Sequence, residues 1–120
     1  MRIMSFTAIR SHEIPERDPL RVRPGEVVSV GERDTQWPEF VFVTASNGTG
    51  WVPARHLSEA SGAATVLVAY DTTELSVSVG DVLTVVERDD ESGWWWCRSS
   101  EGNEGWVPTD VLQPKEGRVR

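Results

Sequence analysis

The chain is written in short runs in which apolar and polar residues alternate, the period of a half-buried strand rather than of a helix. Residues 2–9 open with Ile3, Phe6 and Ala8 as inward candidates, and Leu20 and Val22 later alternate with Arg21 and Arg23. Val27-Val28-Ser29-Val30 and Phe40-Val41-Phe42-Val43 read as two further strands, and Asn47-Gly48 is a tight-turn dipeptide between such runs. Pro15 and Pro19 keep a helix out of the polar stretch 10–19, which reads as a long loop.

The strongest strand signal lies near the C-terminus. Trp94-Trp95-Trp96 cannot all point into one small core, because successive side chains of a strand face opposite ways. Trp94 and Trp96 share one face, while Trp95 and Cys97 share the other, and a small Cys97 suits a crowded interior. A polar turn at Glu101, Gly102 and Asn103 leads into Gly105-Trp106-Val107-Pro108, which Pro108 must end or leave at an edge for want of an N–H. The expected product is a hairpin with an aromatic surface at its end.

The pattern occurs twice. Gly50-Trp51-Val52-Pro53 matches Gly105-Trp106-Val107-Pro108, Glu32-Arg33-Asp34 matches Glu87-Arg88-Asp89, and the run from Leu20 to Glu26 answers that from Leu75 to Asp81. Two copies of a unit this long indicate tandem domains rather than a solenoid. The expected division is a first domain at 1–58, a linker at 59–64 made of small residues, a second domain at 65–114 and a tail at 115–120. The second copy has a shortened first loop. The fold class expected from many short strands with Gly/Pro turns is all-β, two small barrels in tandem.

Charge and composition narrow the partners. Residues 1–58 hold seven Arg/Lys and seven Asp/Glu, whereas 59–120 hold five against twelve, so the second half carries the whole net charge of −7. That balance disfavours nucleic acid and anionic membranes and favours a basic partner. The single cysteine, Cys97, fits inert packing and a reducing compartment. No apolar run of signal or membrane-span length accumulates, so the expected location is the cytoplasm. Nucleophile–base arrangements, phosphate-cradling glycine loops and metal-ligand spacings are missing, and His12 and His56 stand alone, so neither catalysis nor a cofactor is expected.

The order of these residues resembles an SH3 domain, twice. Val68-Ala69-Tyr70-Asp71 resembles that family's opening Ala-Leu-Tyr-Asp-Tyr strand, Glu74-Leu75-Ser76 with Gly80-Asp81 its diverging turn, Trp94-Trp95 its double tryptophan, and Gly105-Trp106-Val107-Pro108 the strand before its 3₁₀ turn. Tandem copies in this wording are similar to bacterial variant SH3 proteins. The resemblance implies binding of extended, proline-rich peptides between aromatic rings. It places Tyr70, Trp94, Trp106 and Pro108 in the groove of the second copy, with Thr72 and Val111 where the family has tyrosines. In the first copy the equivalents are Ile9, Ser11, Glu39 and His56, leaving Trp51, Pro53 and Trp37 as groove candidates.

The leading expectation is a non-catalytic module that binds a short basic or proline-containing segment of a cytoplasmic protein. Asp89, Asp90 and Glu91 lead directly into Trp94, so carboxylates and an exposed indole would together hold an Arg or Lys. Trp51 and Trp106 have a second reading, that they close each barrel. The competing function is structural: the tryptophan faces are used up between the two halves or in a homodimer.

Overall fold

The computed structural model describes residues 5–15 and 18–114. It is all-β, as expected, and the helical elements among the described residues are two 3₁₀ turns, Ala54–His56 and Thr109–Val111. The strands are β1 (Ser5–Ala8), β2 (Arg21–Val22), β3 (Val27–Arg33), β4 (Phe40–Ala45), β5 (Gly48–Pro53), β6 (Gly62–Thr65), β7 (Tyr70–Asp71), β8 (Val82–Asp89), β9 (Trp94–Arg98), β10 (Glu104–Pro108) and β11 (Leu112–Pro114).

The chain packs as two compact units that do not coincide with its two sequence copies. One unit is the continuous stretch 17–73, here the inner unit; the other joins 1–16 to 74–120, here the split unit. The packing boundaries therefore fall within the first loops of the two copies, at 16/17 and 73/74, rather than around residues 59–64.

In the inner unit, β5-β4-β3-β6 form a four-stranded sheet and β2 pairs with β7. Alternation in β3 buries Val28 and Val30 while Val27 and Ser29 face solvent. The outer edge of β3 needs a partner for its backbone groups, and Gly62–Thr65 supplies it, with Val28 opposite Ala64 and Val30 opposite Gly62. Residues 62–64 thus belong to a strand rather than to the expected linker. Their small side chains carry little alternation to read, yet Ala64 is buried.

In the split unit the sheet order is β10-β9-β8-β1-β11. β1, the first strand of the chain, lies between β8 and β11: Phe6 is opposite Leu83 on one side and Pro114 on the other. Its buried face adds Phe6 and Ala8 to Leu75, Val77, Leu83, Trp95, Cys97, Val107 and Val111, one continuous core. The Phe6 and Trp95 rings meet edge to face at 5.0 Å.

The opening strands of the two copies are exchanged. In the split unit Gly80 N–H donates to Ala8 O (2.8 Å), Ile9 N–H to Val111 O (2.7 Å), and His12 bridges Val77. In the inner unit Gly25 N–H donates to Val66 O (2.8 Å), Leu67 N–H to His56 O (2.8 Å), and Tyr70 is opposite Val22. Ala8 is therefore the counterpart of Val66, and His12 that of Tyr70. The match of Ile9 to Tyr70 expected from the sequence is corrected, because the unequal first loops had hidden the register.

Candidate functional site

Each unit ends its central hairpin in a patch of rings, and the strand register sets which side chains share it. In the split unit Trp94 lies between Asp89 on β8 and Pro108 on β10, and Trp96 between Glu87 and Trp106. These residues occupy the outer face, opposite Trp95, Cys97 and Val107. Trp94 and Trp96 are half-buried, and Trp106 is buried at 7% exposure. The Trp96 and Trp106 rings meet edge to face at 5.3 Å, which leaves Trp106 closer to a supporting wall than to a free contact surface.

The turn before Trp94 is built locally. Gly93 takes a φ of +83°, which favours glycine. Its N–H donates to Asp89 O (3.1 Å), and the Ser92 hydroxyl donates to that same carbonyl (3.2 Å) while accepting from Trp94 N–H (3.2 Å). Thr109 N–H reaches back to Gly93 O (2.9 Å), which closes the 3₁₀ turn against the hairpin and sets Pro108 beside Trp94.

The other wall comes from the far end of the chain. His12 meets Trp94 edge to face at 5.4 Å, and its Nε2 lies 2.8 Å from Glu74 Oε1. Glu74 in turn bridges Trp106. His12, read from the sequence as an isolated surface residue, is thus part of the Trp94 corner, along with Glu74.

The acidic run divides in function. Asp90 Oδ1 accepts from Trp95 Nε1–H at 2.9 Å, and Arg88 lies 4.3 Å over the same ring. Asp90 therefore braces the core tryptophan, which corrects its expected place beside Trp94. Asp89 shares Trp94's row, and Glu91 is exposed. Farther along, Glu104 accepts from Trp96 Nε1–H and Arg98 Nε–H, both at 2.7 Å, and these two donors hold its carboxyl below its ordinary value. Burial pushes the Cys97 thiol up to about 12, so it is a packing group.

The inner unit has the same frame with other rings. Phe40 is opposite Pro53 and Phe42 opposite Trp51, so Phe40 holds the place of Trp94 and Phe42 that of Trp96. Phe42 and Trp51 meet at 5.1 Å, and His56 meets Tyr70 at 5.3 Å. Tyr70, which the sequence reading grouped with Trp94, Trp106 and Pro108, is buried in the inner unit at the place that His12 holds in the split unit. Trp37 sits in the β3–β4 turn, where Asp34 Oδ1 accepts from Gln36 N–H (2.8 Å) and Trp37 N–H (3.0 Å). Phe40 and Phe42 were missed because a fixed spacing of copies put Glu39 opposite Trp94. The inner hairpin is one residue shorter, 13 positions from Phe40 to Pro53 against 14 from Trp94 to Pro108, so the strand register rather than a count finds them.

Acidity concentrates on the split unit. Residues 1–16 and 74–120 hold seven Arg/Lys against twelve Asp/Glu, net −5 of the chain's −7. The described residues hold no cluster of three or more His, Cys, Asp or Glu that could bind a metal ion.

A sequence model of the family described as variant SH3 domain matches residues 6–60 and again residues 66–115. SH3 and PX domain-containing protein 2B of Homo sapiens is 40% identical over 47 residues, which cover 39% of this chain and 5% of that protein. SH3 domain-containing protein Dlish of Drosophila melanogaster is 38% identical over 63 residues, 50% of this chain and 18% of that protein. Epidermal growth factor receptor kinase substrate 8-like protein 1 of Mus musculus is 45% identical over 49 residues, 41% of this chain and 7% of that protein. The chain thus spans less than a fifth of the length of these relatives.

Proposed function

This chain belongs to the variant SH3 domain family, and from that premise we propose that it is a non-catalytic protein-interaction module whose split unit binds a short, basic, proline-containing peptide. The observation that carries the reading is Trp94. It is half-buried on an outer face, with Pro108 in its own row, His12 at its edge and Asp89 across the neighbouring strand. A proline ring would lie against the indole beside Pro108. An arginine or lysine next to it would stack on the same ring, with its charge toward Asp89 and Glu91.

The inner unit supports a poorer site. Phe40, in the place of Trp94, is buried at 7% exposure, and Tyr70 is buried as well. Peptide affinity should therefore follow the split unit. A location in the cytoplasm, where such peptides are presented by other proteins, belongs to this same proposal; no helix among the described residues is long and apolar enough to cross a membrane.

The test is a fluorescence titration with a proline-rich peptide carrying arginine and with its alanine-for-arginine counterpart. Trp94→Ala should weaken the arginine peptide by at least about twofold, since a cation on an exposed ring alone contributes about 0.5–1 kcal/mol. Asp89→Asn with Glu91→Gln should reduce only the arginine-dependent part, and that part should fade with salt as the screening length drops from about 10 Å at 0.1 M to about 3 Å at 1 M. Equal affinities in wild type and Trp94→Ala would reject the site.

A further inference from the structure

The slot between β8 and β11 is filled by a segment whose strand partners both lie more than seventy positions away along the chain. Residues 5–15 leave the split unit before the inner unit begins, and the next residue of their own unit is Glu74. The inner unit is one continuous stretch, so it is complete whether or not the slot is filled by this segment.

The slot is selective for 5–15 over its counterpart 62–73. Phe6 packs its ring on Trp95, and the counterpart of Phe6 is Ala64. An alanine there would leave a void against the indole, and a phenylalanine in the place of Ala64, which is 3% exposed, would overfill the inner core. Polar contacts add to the choice. Arg10 donates to Asp110 O and has Nη1 4.0 Å from its carboxylate, while the inner unit has Arg55 in the place of Asp110. His12 meets Glu74 at 2.8 Å, where the inner unit has Pro19. Arg21 meets Asp71 at 2.9 Å, where the split unit has Ser76.

A slot that rejects the chain's other opening strand, and accepts 5–15 through contacts that do not depend on chain continuity, accepts the same segment from another molecule. We propose that the partner fitted by this surface is a second copy of this chain: each molecule inserts its Ser5–Ala8 strand between β8 and β11 of the other, a reciprocal exchange dimer. Within one molecule the segment acts at a local concentration on the order of millimolar, so the monomer prevails in dilute solution. Concentrated refolding populates the dimer, and its return is slow because β1 must break its pairing on both sides.

A complementary pair of charge variants tests this. Full-length Arg10→Asp and Asp110→Arg chains each place like charges together when they fill their own slots, but opposite charges in both slots of a mixed dimer. Refolded together at about millimolar concentration with different affinity tags, they should give several-fold more mixed dimer than tagged wild-type chains treated alike, whereas each variant alone should give no more than wild type, because its own exchange dimer keeps like charges in both slots. A chain carrying Arg10→Asp and Asp110→Arg together restores opposite charges in its own slot, and differently tagged copies of it should return to the wild-type level of dimer. Absence of any interchain species from correctly folded wild-type and paired variants, or as much dimer from the double variant as from the complementary pair, would overturn the proposal.

Discussion

The inner and split units share one strand plan and differ in how the plan is filled. In the inner unit the residue facing inward at the middle of the hairpin is Val41, the buried residue of β6 is Ala64, opposite Val28, and the chain runs through the unit without interruption. In the split unit those places go to Trp95 and Phe6, and the latter arrives from the other sequence copy. Each core is matched within itself, two small residues in one and two rings in the other, whereas a ring set against the small partner, or the reverse, would overfill one core or leave a void in the other. Sequence copies need not be structural units: what defines a unit here is the matching of side chains across the sheet.

The sharpest way to break this comparison is Phe6→Ala. Removal of a buried phenylalanine costs about 3–5 kcal/mol, and the loss should fall on the C-terminal barrel although the substitution is in the first few residues. Amide exchange should accelerate at β8, β9 and β11 while β3 and β4 keep their protection. Loss confined to residues 17–73 would show that the strand belongs to the first barrel after all.

A smaller but cleaner contrast compares equivalent glycines. A Cβ on Gly105 would lie 2.7 Å from the backbone of Glu74 and Leu75, which cannot yield without moving β10 away from them. A Cβ on Gly50 would meet side-chain atoms of Leu20 and Thr72 at 3.1 and 3.2 Å, which can shift by a few tenths of an ångström. Gly105→Ala should cost about 1–3 kcal/mol and Gly50→Ala clearly less, as measured by thermal unfolding. The reverse order would show that the Glu74 segment is not pressed against β10.

Much of the fold was legible in the alternation of single strands. Trp95 and Cys97 fall inside and Trp94 and Trp96 outside, because a period of two fixes the face of each residue once the strand is known. Alternation does not name a strand's partner, however, and Phe6 and Ala8 would read the same in either barrel. The partner was written instead in ring size at Phe6 and charge at Arg10, which become readable only beside Trp95 and Asp110. The site suffered most from this. His12 and Tyr70 stand in unequal loops, so counting from either end misplaces them, and the corner around Trp94 is assembled from residues more than seventy positions apart.

The smallest expected difference between the units is electrostatic, and it lies at Asp71. Burial alone would raise this carboxyl, but the hydrogen bonds from Thr73 Oγ1 (2.5 Å) and Thr73 N–H (2.9 Å), with Arg21 Nε at 2.9 Å, outweigh it and hold the group below its ordinary 3.8. A carboxyl depressed in the folded state binds a proton more readily when unfolded. Its stabilising contribution is therefore complete above 3.8 and disappears as pH falls from there through the folded value. Arg21 is 73% exposed, so solvent screens most of the pairing and the contribution stays under about 1 kcal/mol. In the split unit Ser76 stands in the place of Arg21, so the acid loss should be specific to β2 and β7. Asp71→Asn should lower stability slightly at about pH 6 and flatten the acid limb of the inner unit below about pH 4, as followed by amide exchange and urea midpoints in each unit. An unchanged acid limb in the variant would assign the loss to other carboxyls.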